Sequence, residues 1–250
     1  MAMPSTLLSL GVTLHLDHAP DRREHIAQLA SRLGFGTVWL PVDPAAPPDR
    51  LQLAALARAA APARLGVLLP AGPPAVPAAV AADPATLVEL DGPDPAAGDP
   101  VAALGGPEGW RTRAHVRAFD AAAAGTVVSG TDREALLDRV ARTAAERSTA
   151  GRSPQDHPVT VALTVSIGRT RSEAEARALR DLALSGPAHP RRAGLFGTLE
   201  EAQEQALALR RAGADAVRAT LADEQDVADL LAQLRSVAVG PTPLLHARGG

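Results

Sequence analysis

Cysteine, lysine and tyrosine are missing from this sequence, and each of these absences removes a class of chemistry or of packing. Without cysteine the chain forms no disulfide, no thiolate metal site and no cysteine-based covalent intermediate. All 25 basic residues are arginine, so the lysine of a Schiff base or of a P-loop is excluded as well. Tyrosine is absent too and aromatic residues make up only 2 % of the chain, so leucine, valine and alanine must build the core.

The sequence also has no long apolar run and no large excess of either charge. No stretch approaches the roughly 20 apolar residues of a membrane helix, and the opening MAMPSTLLSL has no basic region of a signal peptide. We therefore expect a cytoplasmic protein. The net charge of −3 is spread over interspersed acidic and basic residues, which argues against nucleic acid or an anionic membrane as a partner. The 250 residues suit one domain over 1–250, with 241–250 as a surface tail.

The segment 194–240 has the clearest local pattern, which is helix, strand and helix. Thr198 and Glu201 have the T-x-x-E spacing of a capping box, and Gly213 supplies the left-handed stop of the helix that follows. An apolar strand over 214–221 and an amphipathic helix over 225–237 come next. A strand enclosed by two helices is a unit of a parallel α/β sheet or barrel.

The same alternation runs along the whole chain. Eight strands are predicted, at 7–16, 37–42, 64–69, 85–91, 101–105, 125–129, 159–167 and 214–221. Helices are predicted at 20–33, 49–61, 73–83, 110–124, 131–150, 170–185, 198–212 and 223–237. Eight parallel strands favour a closed (β/α)8 TIM barrel, and an open doubly wound sheet is the alternative.

One crossover departs from this scheme. Only GPDPAAGDP separates the fourth and fifth predicted strands, which is too short and too rich in proline for a helix. Either this link between strands 4 and 5 is a shortened bare loop, or one of the two strands is misassigned.

Strand alternation predicts which residues face the barrel interior. In the first strand one face should pack against helices and the other should point into the barrel. The helix-facing residues are Leu8, Leu10, Val12, Leu14 and Leu16, and the inward residues are Ser9, Gly11, Thr13, His15 and Asp17. The same alternation places inward Glu89 and Asp91 on the fourth strand, Thr164 and Ser166 on the seventh, and Arg218 and Thr220 on the eighth. The titratable candidates for a site at the strand ends are His15, Asp17, Asp43, Glu89, Asp91 and Arg218.

Each of these candidates has a structural alternative. A polar residue at a strand end is often a helix cap or a solvated loop residue, and His15 could be a neutral core histidine. His15, Asp17 and His18 superficially suggest a metal site, but consecutive strand positions face opposite ways, so we expect no metal. No nucleophile elbow of the G-x-S-x-G type is present.

Two glycine turns precede predicted helices and could bind an anion. These are Gly105–Gly106 and Ser129–Gly130–Thr131, where backbone amides at a helix start attract phosphate. Thr131 and Glu134 have the spacing of another capping box, as do Thr170 and Glu173. Glu108 and Asp132 argue against an anion at the glycine turns because a carboxylate already caps each helix end, so an ordinary turn is the alternative.

Four segments together resemble the bacterial luciferase-like flavin oxidoreductases, which include flavin monooxygenases and deazaflavin-dependent enzymes. Leu33–Leu40 (LGFGTVWL) is similar to the family's second-strand entry, and Ala63–Val67 (ARLGV) is similar to its third strand. Val159–Arg177 and the helix start Gly197–Glu201 resemble the C-terminal third of the family.

The resemblance implies a usually dimeric (β/α)8 barrel that binds reduced FMN or the 5-deazaflavin coenzyme at its C-terminal mouth. Such a protein transfers hydride or activates oxygen, acting on a small organic substrate. His15 would be the acid or base near the reacting ring, because its ordinary pKa suits proton transfer near neutrality, and Glu89 is the second catalytic candidate. The cofactor-binding candidates are Gly105, Gly106, Ser129, Gly130 and Arg218.

The sequence also departs from the family pattern. The long excursion after the fourth strand is reduced to GPDPAAGDP, and Trp39–Asp43 reads WLPVD where the family often has W-x-x-D-H. Two alternatives therefore stay open beside a homodimeric oxidoreductase. One is a non-catalytic partner subunit, in a heterodimer with a homologue, or a flavin-binding protein without turnover. The other is a cofactor-free barrel enzyme that uses Glu89 and His15.

Overall fold

Strands and helices alternate along the chain in the computed structural model. The structure describes residues 8–15, 17–43, 45–69, 87–90, 114–116, 119, 123–180, 189–222 and 227–239. Within these ranges the strands are β1 Ser9–Thr13, β2 Thr37–Pro41, β3 Arg64–Leu69, β4 Leu87–Leu90, β5 Ala114–Val116, β6 Gly125–Val128, β7 Val159–Gly168, β8 Leu195–Thr198 and β9 Ala216–Leu221.

The helices of the same ranges lie between these strands. They are α1 Pro20–Arg32, α2 Arg50–Ala60, α3 Arg133–Thr149, α4 Arg171–Arg180, α5 Pro190–Ala193, α6 Leu199–Ala212 and α7 Val227–Val239. No helix of the described ranges is long and apolar enough to cross a membrane.

Eight of the strands form a closed parallel ring, which confirms the predicted (β/α)8 barrel. Each of β1 to β6 pairs with the next strand along the chain, β7 pairs with β9, and β9 pairs with β1. The closing ladder between β1 and β9 runs from Ser9 opposite Ala216 to Thr13 opposite Thr220. Because every pair is parallel, the carboxyl ends of all eight strands meet at one mouth.

Local capping explains why several helices begin and end where they do. Thr198 and Glu201 form the predicted capping box, and Gly213 ends α6 in the left-handed conformation at φ 108°. At α3 the predicted box is displaced, because Asp132 rather than Thr131 is the N-cap and its side chain accepts from the amide of Ala135.

Two predictions of secondary structure were wrong. Residues 114–116, which we predicted to be helical, form β5 of the ring, since pairing with β4 and β6 overrides the helical spacing of the alanines and arginines there. The short strand β8 was not predicted, and it pairs with the last residues of β7 outside the closed ring. The predicted strand 101–105 and helix 73–83 lie outside the described residues.

The shortened crossover predicted between strands 4 and 5 was also misplaced. The strand that pairs with β4 begins at Ala114, so the connection spans 91–113 rather than GPDPAAGDP alone. The shorter connection is the next one along the chain, 117–124 between β5 and β6. Since 114–116 is the strand that pairs with β4, the alternative of a misassigned strand is the one that the ring supports.

The strands separate a helix-side core from a narrow barrel interior, as the predicted alternation in β1 requires. Leu10, Val12 and Leu14 are buried in the main apolar cluster together with residues of the surrounding helices. Gly11 and Thr13 face the opposite side. The alternation holds as far as Leu14, because the strand ends at Thr13 rather than at residue 16.

A network of buried polar side chains closes the barrel at the amino ends of the strands. Asp215 accepts from the guanidinium of Arg147 and, at 2.9 Å, from the backbone amide of Val159. His157 is fully buried, with its Nδ1 3.1 Å from the carbonyl oxygen of Ala123 and its Nε2 2.8 Å from the hydroxyl of Thr126. Because a carbonyl only accepts, Nδ1 carries the proton and Nε2 accepts from the hydroxyl.

Candidate active site

A row of side chains on four neighbouring strands follows the inner wall of the barrel near its mouth. Thr164 of β7 is in register with Thr220 of β9, Thr220 with Thr13 of β1, and Thr13 with Trp39 of β2. Register partners in a parallel sheet point to the same face, so these residues form one layer. We call Thr164, Thr220 and Thr13 the threonine row.

Trp39 forms the apolar end of this layer. Its ring is buried and lies so close to Gly66 of β3 that a Cβ atom there would overlap it. Glycine at that position is therefore what lets the indole lie across the interior. The indole Nε1 donates to the hydroxyl of Thr37 at 3.1 Å, which fixes the ring in place.

Arg218 brings a positive charge into the interior one layer below the threonine row. It is in register with Gly11 and Ala162, is only 7 % exposed, and places its guanidinium carbon 5.8 Å from the centre of the Trp39 ring. The prediction that Arg218 faces inward is confirmed. Its role as a cofactor-binding residue stays a prediction.

A cavity of about 180 Å³ opens at the threonine end of this layer. It lies where the carboxyl ends of β6, β7 and β9 meet the start of α3 and the short helix α5. The lining residues are Gly130, Thr131, Ala162, Leu163, Thr164, His189, Pro190, Ala193, Gly194 and Thr220. Glycine backbone, three threonine hydroxyls and an imidazole give this cavity hydrogen-bonding walls.

Arg133 contacts the wall of this cavity. It is the first residue of α3, and its guanidinium donates to the carbonyl of Gly194, a lining residue, at 3.3 Å. No carboxylate of the described residues pairs with it. Burial lowers the pKa of the Arg133 guanidinium, although an arginine stays charged in a protein. The result is a partly desolvated positive charge beside a polar cavity.

His189 is the imidazole that lines the cavity, and one of its ring nitrogens accepts a hydrogen bond. Its Nδ1 accepts from the backbone amide of Arg191 at 3.2 Å, and its Nε2 lies 3.5 Å from a carboxylate oxygen of Glu175. Since Nδ1 is an acceptor in this arrangement, the neutral ring carries its proton on Nε2. The edge of the ring also contacts Phe196, with the ring centres 5.6 Å apart.

The predicted turn at Ser129 and Gly130 does reach the mouth. Gly130 and Thr131 line the cavity, and the carbonyl of Ser129 accepts from Arg139 at 2.7 Å. The first amides of α3 are partly taken by the side chain of Asp132, as the sequence suggested. Gly105 and Gly106, the other predicted turn, lie outside the described residues, as does Asp91.

The two predicted catalytic residues follow different strands of the ring. His15 is half-buried just after β1, and its ring centre lies 5.3 Å from that of His18. Glu89 lies in β4, where its backbone is in register with Leu68 and His115. Their assignments as acid or base stay predictions.

The remaining predicted carboxylates at the strand ends point to solvent. Asp17 and Asp43 are exposed, and Asp43 accepts from the amide of Ala45 at 2.8 Å, as a turn-forming aspartate does. The prediction that Asp17 points inward was wrong because β1 has already ended. For the same reason His15 and His18 come together although strand alternation would separate them. Among the described residues no group of three His, Asp or Glu side chains could hold a metal ion.

A larger groove of about 650 Å³ lies on the outside of the barrel between α6 and α7. It is lined mainly by Leu8, Leu199, Leu207 and Val237, with Glu200 and Glu204 also present. No residue of the strand interiors contributes to it. The groove therefore belongs to the helical surface and not to the candidate site.

Comparison with known proteins supports this architecture. No protein-family model and no curated protein matches the sequence. Among solved structures, the coenzyme F420-dependent tetrahydromethanopterin reductase from Methanopyrus kandleri is similar, with a TM-score of 0.67 and 13% identity over 93% of this chain and 99% of that chain.

Two further oxidoreductases are similar over almost their whole length. An F420-dependent secondary alcohol dehydrogenase, solved with an F420-acetone adduct, has a TM-score of 0.65 and 12% identity over 94% of this chain and 100% of that chain. The oxygenating constituent of 3,6-diketocamphane monooxygenase from Pseudomonas putida, solved with FMN, has a TM-score of 0.63 and 13% identity over 93% of this chain and 98% of that chain. The chain has the fold of the luciferase-like barrels.

Arg133 and His189 are the site residues that sequence reasoning missed. Arg133 follows the Ser129–Gly130–Thr131 turn directly, so a search for a cation just after the turn would have found it. His189 precedes a proline, and its side chain accepts from the amide two residues on. The contact that brings the two segments together joins residues 61 positions apart, which no local pattern reveals.

Proposed function

We propose that this barrel is a flavin- or deazaflavin-dependent oxidoreductase of the luciferase-like type, acting on a small organic molecule. The proposed cofactor is FMN or coenzyme F420, the 5-deazaflavin coenzyme. Both carry a phosphate group, and a site for that phosphate is the feature on which the proposal rests.

The observation that carries the proposal is Arg133 beside the cavity. Its guanidinium is partly buried and bonded to the carbonyl of Gly194, and no carboxylate of the described residues neutralises it. A guanidinium with free donors in a partly desolvated site favours a phosphate, which it binds through charge-assisted hydrogen bonds. Gly130 and Thr131 add close backbone approach and a hydroxyl on the same wall.

The size of the cavity supports binding of one group rather than of a whole cofactor. Its volume of about 180 Å³ is below the roughly 300–1,000 Å³ of cavities that enclose a drug-sized ligand. A phosphate fits, whereas the tricyclic ring of a flavin would lie outside, across the mouth. Trp39 lies on that side of the barrel, with its indole buried in the interior beneath the mouth.

The bound cofactor would supply the hydride or oxygen chemistry. The protein's own residues would hold and orient it: Arg133, Gly130 and Thr131 at the phosphate, with Arg218 contributing positive charge from below. His15, at the end of β1, is the proposed proton donor or acceptor and Glu89 the second candidate. Gly105, Gly106 and Ser129 would contribute to cofactor binding as well.

Fluorescence titration of the purified protein with FMN and with riboflavin, which lacks the phosphate, tests the site. We expect wild type to bind FMN more tightly than riboflavin. Arg133→Met should weaken FMN binding by about tenfold or more while leaving riboflavin binding unchanged, because it removes charge-assisted bonds to phosphate alone. Arg142→Met, an exposed arginine on the same helix, is the matched control.

Two outcomes would count against the proposal. One is a wild-type dissociation constant above roughly 100 µM for both FMN and coenzyme F420. The other is an Arg133→Met variant that loses FMN and riboflavin equally. Turnover with anaerobically reduced FMN and small aldehydes or alcohols then separates an oxidoreductase from a flavin-binding partner subunit. Mass determination in solution tests the expected homodimer or heterodimer with a homologous subunit.

A further inference from the structure

Thr13 combines burial with an unused hydroxyl. It is 8 % exposed, and its Oγ1 has no hydrogen-bond partner within the described part of the chain. A buried hydroxyl without a partner destabilises the fold, since it gives up its bonds to water and gains none. Replacing it with valine would avoid this loss at no change of shape. A ligand oxygen that bonds to Thr13 would explain why the chain has a hydroxyl there.

The neighbours of Thr13 indicate what kind of ligand this is. On one side, Thr220 and Thr164 continue the threonine row, one strand apart each, to the cavity next to Arg133. On the other side, Trp39 is the register partner of Thr13. Along the layer the cavity next to Arg133 comes first, then the three hydroxyls and then Trp39, over three strand spacings or roughly 14 Å.

We propose that the threonine row binds the polyol chain of the cofactor, and that Thr13 hydrogen-bonds to one of its hydroxyl oxygens. This inference rests on the proposed function, because FMN and coenzyme F420 both join phosphate to ring through a ribityl chain. Threonine hydroxyls donate and accept, which matches a ligand segment whose hydroxyls also do both. With the phosphate in the cavity, the chain passes the row and the ring reaches the Trp39 side of the mouth.

FMN, riboflavin and lumiflavin, which differ stepwise in the phosphate and the ribityl chain, give a direct test. Riboflavin lacks the phosphate, and lumiflavin has a methyl group in place of the ribityl chain. Thr13→Val should weaken FMN and riboflavin binding by about fivefold and leave lumiflavin binding unchanged. Thr13→Ser, which keeps the hydroxyl, should bind all three as wild type does. Thr160→Val, on the same strand as Thr164 and the same face but near the amino end, is the control and should change none of them.

A stability measurement separates ligand binding from a structural role. If the hydroxyl serves a ligand, Thr13→Val without ligand should melt at the wild-type temperature or about 2 °C above it. A purely structural hydroxyl would give a lower melting temperature. Should Thr13→Val fail to fold, the same flavin comparison is made with Thr220→Val, for which we expect the same selective loss.

The outcomes distinguish this inference from the proposed function. If wild type binds FMN but Thr13→Val and Thr220→Val bind all three flavins unchanged, the threonine row does not bind the polyol chain, and the proposed flavin site is unaffected. If wild type binds neither FMN nor coenzyme F420, the proposed function fails. D-ribitol 5-phosphate then tests the threonine row alone. Binding of this compound that Thr13→Val weakens supports a polyol site on the row, and absence of binding overturns it.

Discussion

The two ends of this barrel differ in whether their buried polar groups have hydrogen-bond partners among the described residues. At the amino ends of the strands, Asp215 is paired with Arg147 and bonded to a backbone amide, and both ring nitrogens of His157 have partners. At the carboxyl ends, the Thr13 hydroxyl has no partner in the described ranges and Arg133 has a carbonyl but no carboxylate.

This difference assigns separate tasks to the two ends. A satisfied buried network contributes to stability and is costly to disturb, whereas unsatisfied polar groups around a cavity are free to bond to a ligand. The amino end therefore holds the ring together, and the carboxyl end carries the proposed function. Variants at the two ends should accordingly separate stability from binding.

The largest loss of stability is expected at the amino end from Asp215→Ala. It leaves the Arg147 guanidinium without its carboxylate in a site where the arginine side chain is only 10% exposed. Removing one partner of such a pair costs about 3 kcal/mol of unfolding free energy, measured by urea denaturation. Arg171→Ala, which breaks an exposed pair with Glu201, should cost no more than about 0.5 kcal/mol. Equal losses in the two variants would remove the distinction between the network and the surface.

His157→Leu should give the next largest effect. The leucine fills the buried space but leaves the Thr126 hydroxyl and the Ala123 carbonyl without their partner. We expect a loss of about 2 kcal/mol in the same denaturation experiment. Thr143→Val, a buried threonine on α3 outside the network, is the control. A stability equal to wild type would show that the His157 bonds are replaceable.

Arg133→Met at the mouth should have the smallest effect on stability. It loses one 3.3 Å hydrogen bond to Gly194 but also removes a partly buried charge, so the unfolding free energy should change by less than about 1 kcal/mol. The same variant is expected to lose most of its FMN affinity. A strong destabilisation would instead make Arg133 part of the scaffold.

The sequence predicted the parts of this molecule that local rules control. The Thr198–Glu201 box and the Gly213 stop are set by neighbouring residues, and the inward position of Thr13 and Arg218 follows from alternation within one strand. Strand β5 was missed because three residues between arginines and alanines carry too little pattern to outweigh a helical spacing. Pairing with two neighbours decides their conformation.

The candidate site was less predictable than the fold for a related reason. The cavity forms where the turn at Gly130 meets His189 and Gly194, and that contact depends on how α3 and α5 pack on the ring. The absence of a partner for Thr13 is likewise a property of the folded interior. Sequence reasoning found the glycine turn and the threonines but could not identify Arg133 as the cation beside them.

A crystal structure of the protein soaked with FMN tests the separation of the two ends most directly. We expect density for the phosphate in the cavity against Arg133, Gly130 and Thr131, with the ring toward Trp39 and no change in the Asp215–Arg147 pair. FMN bound outside the mouth, or a mouth without density at a saturating concentration, would contradict the account.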